Sequence, residues 1–286
     1  MATSTASTPS VTGIGRWQMP ALIVGVLGIV GAVIGFVTNQ PEFFRAWLAP
    51  FVFWFLIAAG ALAVLCLQYV TGGEWGVLIR RPLGAAARTL PLFLLLGLPL
   101  VFGLQHIYEW ANHDKVAHDL LLQKKQLWLN PMGWGIRALV YFALMALWAW
   151  RIRRLSLEFA KTRSPFVELS RRKWAASGLL VMVMVLTFTS IDWVMSLEPK
   201  WYSSMFGIAF TVGAGLSAFA FVTFFLTTIS RTQAMIEVLK PNHFRDLGNL
   251  MLAFTMLWAY TNFSQFLLIW YGNIKEETPY YLKRMH

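Results

Sequence analysis

The chain has 286 residues, of which 57 % are hydrophobic and only 13 % are charged, and its mean hydropathy is +0.57. A soluble domain of this size would expose too much apolar surface to water, so the composition excludes that class and predicts a polytopic membrane protein. The formal charge of +11 does not call for a nucleic-acid partner, because the basic residues concentrate between hydrophobic segments, where membrane topology accounts for them.

Seven hydrophobic segments follow a small, polar stretch over residues 1–15, which we interpret as a disordered cytoplasmic tail. The segments cover residues 19–37, 46–70, 89–104, 132–150, 174–196, 203–228 and 247–271. Apolar runs of this length are typical of helices that cross a bilayer. The predicted fold class is therefore an all-α, polytopic transmembrane helix bundle over residues 16–286.

Basic residues are distributed unevenly between the two sides that these segments define. One side carries 15 of them and the other carries 8, mostly balanced by nearby acids. The 15 are Arg16, Arg80, Arg81, Arg88, Arg151, Arg153, Arg154, Lys161, Arg163, Arg171, Arg172, Lys173, Arg231, Lys240 and Arg245. The positive-inside rule then predicts a cytoplasmic N-terminus and a C-terminus on the outer side.

Asp192 lies inside the fifth segment, close to its outer end, where an ionisable group is costly and suggests a functional site. Thr189 and Ser196 share its helical face at i−3 and i+4. Arg137, with Tyr141 at i+4, is an intramembrane cation of the fourth segment near the same boundary. Asp192 is either a proton-handling group or a structural acid, and Arg137 either pairs with it or extends to the interface.

The fifth segment is followed by an interfacial corner, because Pro199 cannot continue a helix. Glu198, Lys200, Trp201 and Tyr202 supply its charges and aromatic anchors. The segment between residues 105 and 131 and the C-terminal residues are predicted to face the same outer side.

The seventh segment carries a polar stripe. Thr255, Trp258, Asn262 and Gln265 recur at spacings that place them on one helical face. Amides inside a bilayer must form hydrogen bonds, so the stripe either joins helices or lines a hydrated path. If the fifth and seventh helices are neighbours, Asn262 and Gln265 extend a path from Asp192.

The sequence predicts no metal site and no redox centre bound by this chain. His106, His113 and His118 do not follow a common metal-ligand spacing, and Cys66 is the only cysteine. The histidines lie at segment ends or between segments, so no facing pair inside helices is available to ligate haem.

Three stretches resemble a known family: IYEWANHD followed by LWLNP, then TSIDWVMSLEPKWYSSMFG, then YTNFSQFLLIWYGNIKEETPYYLKR. They are similar to the ActF family of membrane subunits of Alternative Complex III, a bacterial quinol:electron-acceptor oxidoreductase, over residues 15–284. More distantly, they resemble the NrfD/polysulfide-reductase membrane subunits.

The resemblance implies a subunit of the bacterial inner membrane that contributes a proton path or a quinol-binding surface, and structural support. It implies as partners an NrfD-like paralogous subunit, a periplasmic iron–sulfur protein and a multihaem cytochrome c, which hold the iron–sulfur and haem c groups. The resemblance leaves open whether quinol or quinone binds this subunit, and which quinone it would be. Members of the family commonly have more spanning helices, so a fragment and a shortened member both stay open.

Two other classes of function remain open from the sequence. A small-solute transporter would be expected to show helices broken at matching positions of two repeats, whereas Gly97 and Pro99 of the third segment have no evident counterpart. The other class is a scaffold subunit of a respiratory complex, in which the intramembrane charges are inert.

Overall fold

The computed structural model describes residues 15, 18–230, 239–273 and 277–285. The described residues form an all-α bundle. Its helices are α1 (Gln18–Thr38), α2 (Gln40–Thr71), α3 (Arg80–Ala87), α4 (Leu90–Leu96), α5 (Leu98–Phe102), α6 (Leu104–Ile107), α7 (His113–His118), α8 (Leu120–Lys125), α9 (Pro131–Thr162), α10 (Pro165–Trp193), α11 (Ser204–Ile229), α12 (Pro241–Gly272) and α13 (Thr278–Met285).

Within the described residues, seven helical spans are long and apolar enough to cross a membrane. Five of them are single helices. The third, Arg80–Phe102, is built from α3, α4 and α5, and the fifth, Pro165–Leu197, joins α10 to a short 3-10 turn. Pro91 and Pro99 interrupt this span because proline lacks the N–H that a helical hydrogen bond needs. The chain is thus a multi-pass membrane protein, as its composition predicts.

Helix α2 forms the centre of the bundle and packs against α3, α10 and α11. Its middle turn is made of small, buried residues, Ala58, Ala59, Gly60 and Ala61. Small side chains let helix backbones approach closely, which is how helices associate where lipid removes the hydrophobic drive. Gly60 accordingly lies directly against the main chain of Ala214 in α11.

Much of the apolar surface of the bundle remains uncovered. Helix α1 has no buried residue, and its large side chains are mostly exposed. Phe36 near its end contacts Phe43 and Phe44 of α2, with ring centroids 5.6 and 5.9 Å apart. An apolar surface of this kind matches the lipid bilayer rather than water.

Side-chain contacts join different helices and their connecting segments at two opposite ends of the bundle. At one, the Asp192 end, the Tyr108 hydroxyl donates to the Trp193 carbonyl at 2.9 Å, and Lys283 pairs with Glu198 at 3.0 Å. At the other, the Arg80 end, the hydroxyls of Tyr69 and Ser156 lie 2.9 Å apart. The structure therefore brings the C-terminal helix to the same end as the Asp192 region.

Helices α9, α10 and α12, which correspond to the fourth, fifth and seventh predicted segments, extend well beyond those segments. The basic stretch between residues 151 and 173, expected as a connecting loop, consists of the last turns of α9 and the first turns of α10. Arg163 makes the turn between them in the left-handed conformation, with φ 51°. Hydropathy does not detect these turns because it measures apolarity and not helix propensity. Ala, Leu, Glu, Lys and Arg are strong helix formers whether or not lipid surrounds them.

The predicted disordered tail over residues 1–15 lies outside the described residues, apart from Gly15. The same holds for the basic residues Arg16 and Arg231, which entered the charge comparison. Both expectations therefore stay predictions.

Candidate functional site

The Asp192 carboxylate is buried, with 1 % of its side chain exposed, and accepts four hydrogen bonds. Arg137 binds it in a bidentate manner, from Nε to Oδ2 at 2.8 Å and from Nη2 to Oδ1 at 3.0 Å. The Tyr141 hydroxyl donates to Oδ2 at 2.8 Å and Trp128 Nε1 to Oδ1 at 2.9 Å. The intramembrane cation and acid thus form one ion pair.

The start of α9 positions the two donors that this helix supplies. The Asn130 side chain accepts from the Gly133 amide at 2.6 Å, and Pro131 occupies the first turn, where proline is favoured. Arg137 and Tyr141 then stand one helical turn apart on the same face. Both reach the last turn of α10, against which α9 packs.

Trp128 holds Arg137 from its other side. The guanidinium carbon lies 4.3 Å from the centre of the Trp128 ring, within the range of a cation–π contact. The same indole donates to the carboxylate, so it touches both members of the pair. The Arg137 side chain keeps 18 % exposure and the Asp192 side chain 1 %, so the ion pair is accessible mainly from its Arg137 side.

Helix α10 ends at Trp193, followed by a short 3-10 turn over Met195–Leu197, whereas the sequence predicts a helix through Ser196. The main-chain carbonyl of Asp192 accepts from Ser196 Oγ at 2.6 Å and from Trp134 Nε1 at 3.2 Å. These donors satisfy carbonyls that a helix end leaves unpaired. Ser196 therefore fixes the helix end and makes no hydrogen bond to the carboxylate.

Tyr108 connects the segment after α6 to the same helix end. Its hydroxyl donates to the Trp193 carbonyl, and its ring stacks on Trp110 with centroids 5.0 Å apart. Burial, and secondarily the Asp192 charge, raises the pKa of this phenol well above its ordinary value. The Tyr108 hydroxyl thus joins the segment after α6 to the end of α10.

On the predicted face of Thr189, Asp192 and Ser196, the Thr189 hydroxyl makes no hydrogen bond to a described residue. Its Oγ1 is buried and has no hydrogen-bond partner among the described residues, one turn deeper in α10 than Asp192. A buried hydroxyl without a partner is costly, and an internal water is a common way to satisfy it. Within the described part of the chain, the Thr189 hydroxyl is thus an unsatisfied polar group one helical turn away from the ion pair.

The two amide side chains of the predicted polar stripe lie on α12 and make contacts away from Asp192. Asn262 is exposed and donates to the Trp258 carbonyl of its own helix at 2.8 Å. Gln265 accepts from Ser203 Oγ at 2.8 Å, which joins α12 to the start of α11. Helix α12 packs on α11, so the Gln265 contact acts as interhelical hydrogen bonding and neither amide touches the Asp192 ion pair.

The interfacial corner packs under the C-terminal helix α13. Glu198 pairs with Lys283 at 3.0 Å, and Lys200 pairs with Asp119 at 3.1 Å. Trp201 is buried and stacks on Tyr280, with ring centroids 3.8 Å apart and planes 9° from parallel.

Tyr202, in contrast, is 65 % exposed and contributes its ring to the surface. A cleft of about 400 Å³ lies between this corner and the segment that carries Trp128. Lys125 borders it and donates to the Pro199 carbonyl at 2.5 Å, while burial lowers the pKa of its ammonium group. Trp128 and Ser196 also line the cleft, so it reaches the edge of the ion pair.

In the described part of the chain, no three His, Cys, Asp or Glu side chains converge in a way that suits a metal ion. The ring of His106 stacks on Phe44, with centroids 5.7 Å apart, which gives this histidine a packing role.

No model of a protein family matches the chain, and no curated protein matches it either.

Proposed function

We propose that this multi-pass membrane protein is a subunit of a bacterial respiratory quinol oxidoreductase of the Alternative Complex III type, of the ActF family. In this proposal it lies in the inner membrane with a cytoplasmic N-terminus and a periplasmic C-terminus. It binds no redox centre itself. Its partners are an NrfD-like subunit, a periplasmic iron–sulfur protein and a multihaem cytochrome c.

The observation that supports the proposal is the meeting of the three resembling stretches at the Asp192 end. Tyr108 and Trp128 of the first stretch contact the last turn of α10, which belongs to the second. Tyr280 of the third stretch stacks on Trp201 of the second. Residues far apart in sequence thus pack together at one end of the bundle, where the exposed rings of Trp128 and Tyr202 are available to partner subunits.

The ion pair has two candidate roles within such a complex. Its four hydrogen bonds leave no acceptor position of the carboxylate free, which favours a structural role that fixes the surface for partners. The unpartnered Thr189 hydroxyl favours the second role, a proton path that runs inward from Asp192. In the path hypothesis Arg137 must release the carboxylate during turnover, and the cleft beside Lys125 is the candidate quinol-facing surface.

Purification of the tagged chain from its native membranes in mild detergent tests the proposal. We expect haem c absorption, iron–sulfur electron paramagnetic resonance signals and quinol oxidation to co-purify with it. A transporter would be recovered without haem or iron–sulfur partners, and that result would contradict the assignment.

The same preparation from a Thr189→Val chain separates the two roles of the ion pair. Valine keeps the side-chain shape, so assembly should be unchanged. If Thr189 belongs to a proton path, loss of its hydroxyl should slow quinol oxidation at least about tenfold. Ser190→Ala is the matched control, because among the described residues the Ser190 hydroxyl bonds only to the Thr187 carbonyl of its own helix. Normal turnover of an assembled Thr189→Val complex would leave the structural role.

The proposed orientation predicts the compartments of two reporter fusions. A periplasm-dependent reporter fused after Trp201 is expected to be active, whereas the same reporter after Lys161 is expected to be silent, because 15 of the basic residues gather on the Lys161 side. Alkaline phosphatase activity measures both. The reverse pattern would place the Asp192 end in the cytoplasm and separate it from periplasmic partners.

A further inference from the structure

A basic cleft lies at the Arg80 end, between α2, α3 and α9. It has a volume of about 450 Å³. Four arginines line it, Arg80, Arg81, Arg88 and Arg153, together with the hydroxyls of Tyr69 and Ser156. No aspartate or glutamate is among its lining residues. The lining of the cleft therefore carries positive charge and hydrogen-bond donors but no carboxylate.

One of the four arginines makes contacts within the protein, and the other three are available to bind a ligand. Arg80 Nε donates to Gln68 Oε1 at 2.6 Å, and its guanidinium carbon lies 5.2 Å from the centre of the Tyr69 ring. Arg81, Arg88 and Arg153 are exposed and make no ion pair within the described residues. The nearby acid Glu168 is already engaged by Arg171 and Arg172.

The rest of the lining is apolar. Leu62 and Leu65 of α2, Ala87 of α3 and Ile152 of α9 line it, and all four belong to spans that are long and apolar enough to cross a membrane. A small free anion would make no favourable contact with these apolar side chains. A molecule with a phosphate headgroup and acyl chains would satisfy both halves, since basic pockets between spanning helices bind anionic lipid headgroups.

We propose that this cleft binds the phosphate headgroup of an anionic phospholipid, with Arg81, Arg88 and Arg153 as the contacting cations. Arg80 and the paired hydroxyls of Tyr69 and Ser156 shape the floor of the site. Arginine suits this role because its planar guanidinium group binds phosphate oxygens in pairs. The site belongs to the end of the bundle opposite the ion pair and does not depend on the respiratory assignment.

Titration of the purified full-length chain with lipids in detergent tests the proposal. Native mass spectrometry should show saturable binding of phosphatidylglycerol and diphosphatidylglycerol, and much weaker binding of phosphatidylcholine. Replacing the three available arginines, in Arg81→Gln, Arg88→Gln and Arg153→Gln together, should weaken binding of the anionic lipids at least about tenfold.

A matched control removes three charges from the same end but outside the cleft: Arg154→Gln, Lys161→Gln and Arg163→Gln. Its lipid affinity should stay within about twofold of the parent chain, because the site is local. Equal losses in both triple variants would overturn the proposal in favour of diffuse attraction.

Inorganic phosphate distinguishes a lipid headgroup from a free anion. At millimolar concentration it should neither displace the bound lipid nor raise the melting temperature. Displacement of the lipid by phosphate would overturn the lipid assignment. The melting temperature of the lipid-free triple variant should match that of the parent chain, since Arg81, Arg88 and Arg153 make no ion pair in the described structure; a fall would contradict their assignment as free contacts.

Discussion

Asp192→Asn is expected to destabilise the folded protein by about 3 kcal/mol, although the two side chains have nearly the same size. Four donors point at the two carboxylate oxygens, whereas an amide offers one oxygen and turns an NH2 group toward the remaining donors. Arg137 also loses its counter-charge in a site from which water is largely excluded. Thermal unfolding in detergent should show a melting temperature lower by on the order of 5–10 °C.

The reciprocal change and a surface pair provide the controls. Arg137→Gln alone should be similarly destabilising, while Arg137→Gln with Asp192→Asn should cost at least about 1 kcal/mol less than the sum of the two. Glu109→Gln removes a carboxylate from an ion pair whose side chains are about half exposed, and it should cost less than about 0.5 kcal/mol. Strict additivity, or a normal melting temperature for Asp192→Asn, would contradict the structural role of the ion pair.

The expected loss of stability makes Asp192→Asn an ambiguous test of a proton path. Asparagine conserves the shape of aspartate but not the pattern of acceptors that Arg137, Tyr141 and Trp128 require. A loss of quinol oxidation in that variant would therefore follow from disturbed geometry as well as from a lost proton. Thr189→Val removes a hydroxyl that no described residue uses, so it separates the two causes.

Much of the ion pair could be predicted from sequence because its chemistry is local. Asp192 and Arg137 stand at similar depth in two apolar segments, and each is expensive in lipid without the other. Tyr141 follows Arg137 by one helical turn, so its place on the same face is a matter of helix geometry. The structure contains all three in one cluster.

Other parts of the site depend on tertiary packing, which helical periodicity does not encode. Trp128 and Tyr108 lie 64 and 85 residues from their partners, in a stretch where short helices leave no clear pattern. Asn262 and Gln265 do share a helical face, but periodicity does not say which neighbour that face meets. Helix α11 takes that place, so Gln265 meets Ser203.

Gly60→Ala is expected to destabilise the bundle by more than about 3 kcal/mol, beyond the usual cost of an added methyl group in a core. A methyl group at Gly60 would lie 2.0 Å from the carbonyl oxygen and 2.5 Å from the carbonyl carbon of Ala214. These atoms belong to the main chain of α11 and cannot turn aside as a flexible side chain can. Helices α2 and α11 must then separate, which opens the packing around the fully buried Ala218 and Phe219.

Gly135→Ala is the matched control, because an added methyl group at this position in α9 meets no atom within 4 Å. Alanine is the better helix former by about 1 kcal/mol, so this variant should melt at the same temperature as the parent chain or slightly higher. The two substitutions therefore have opposite expected signs, although the chemical change is identical. Fluorescence-detected thermal unfolding in detergent measures both, and a Gly60→Ala chain as stable as Gly135→Ala would rule out the close contact between α2 and α11.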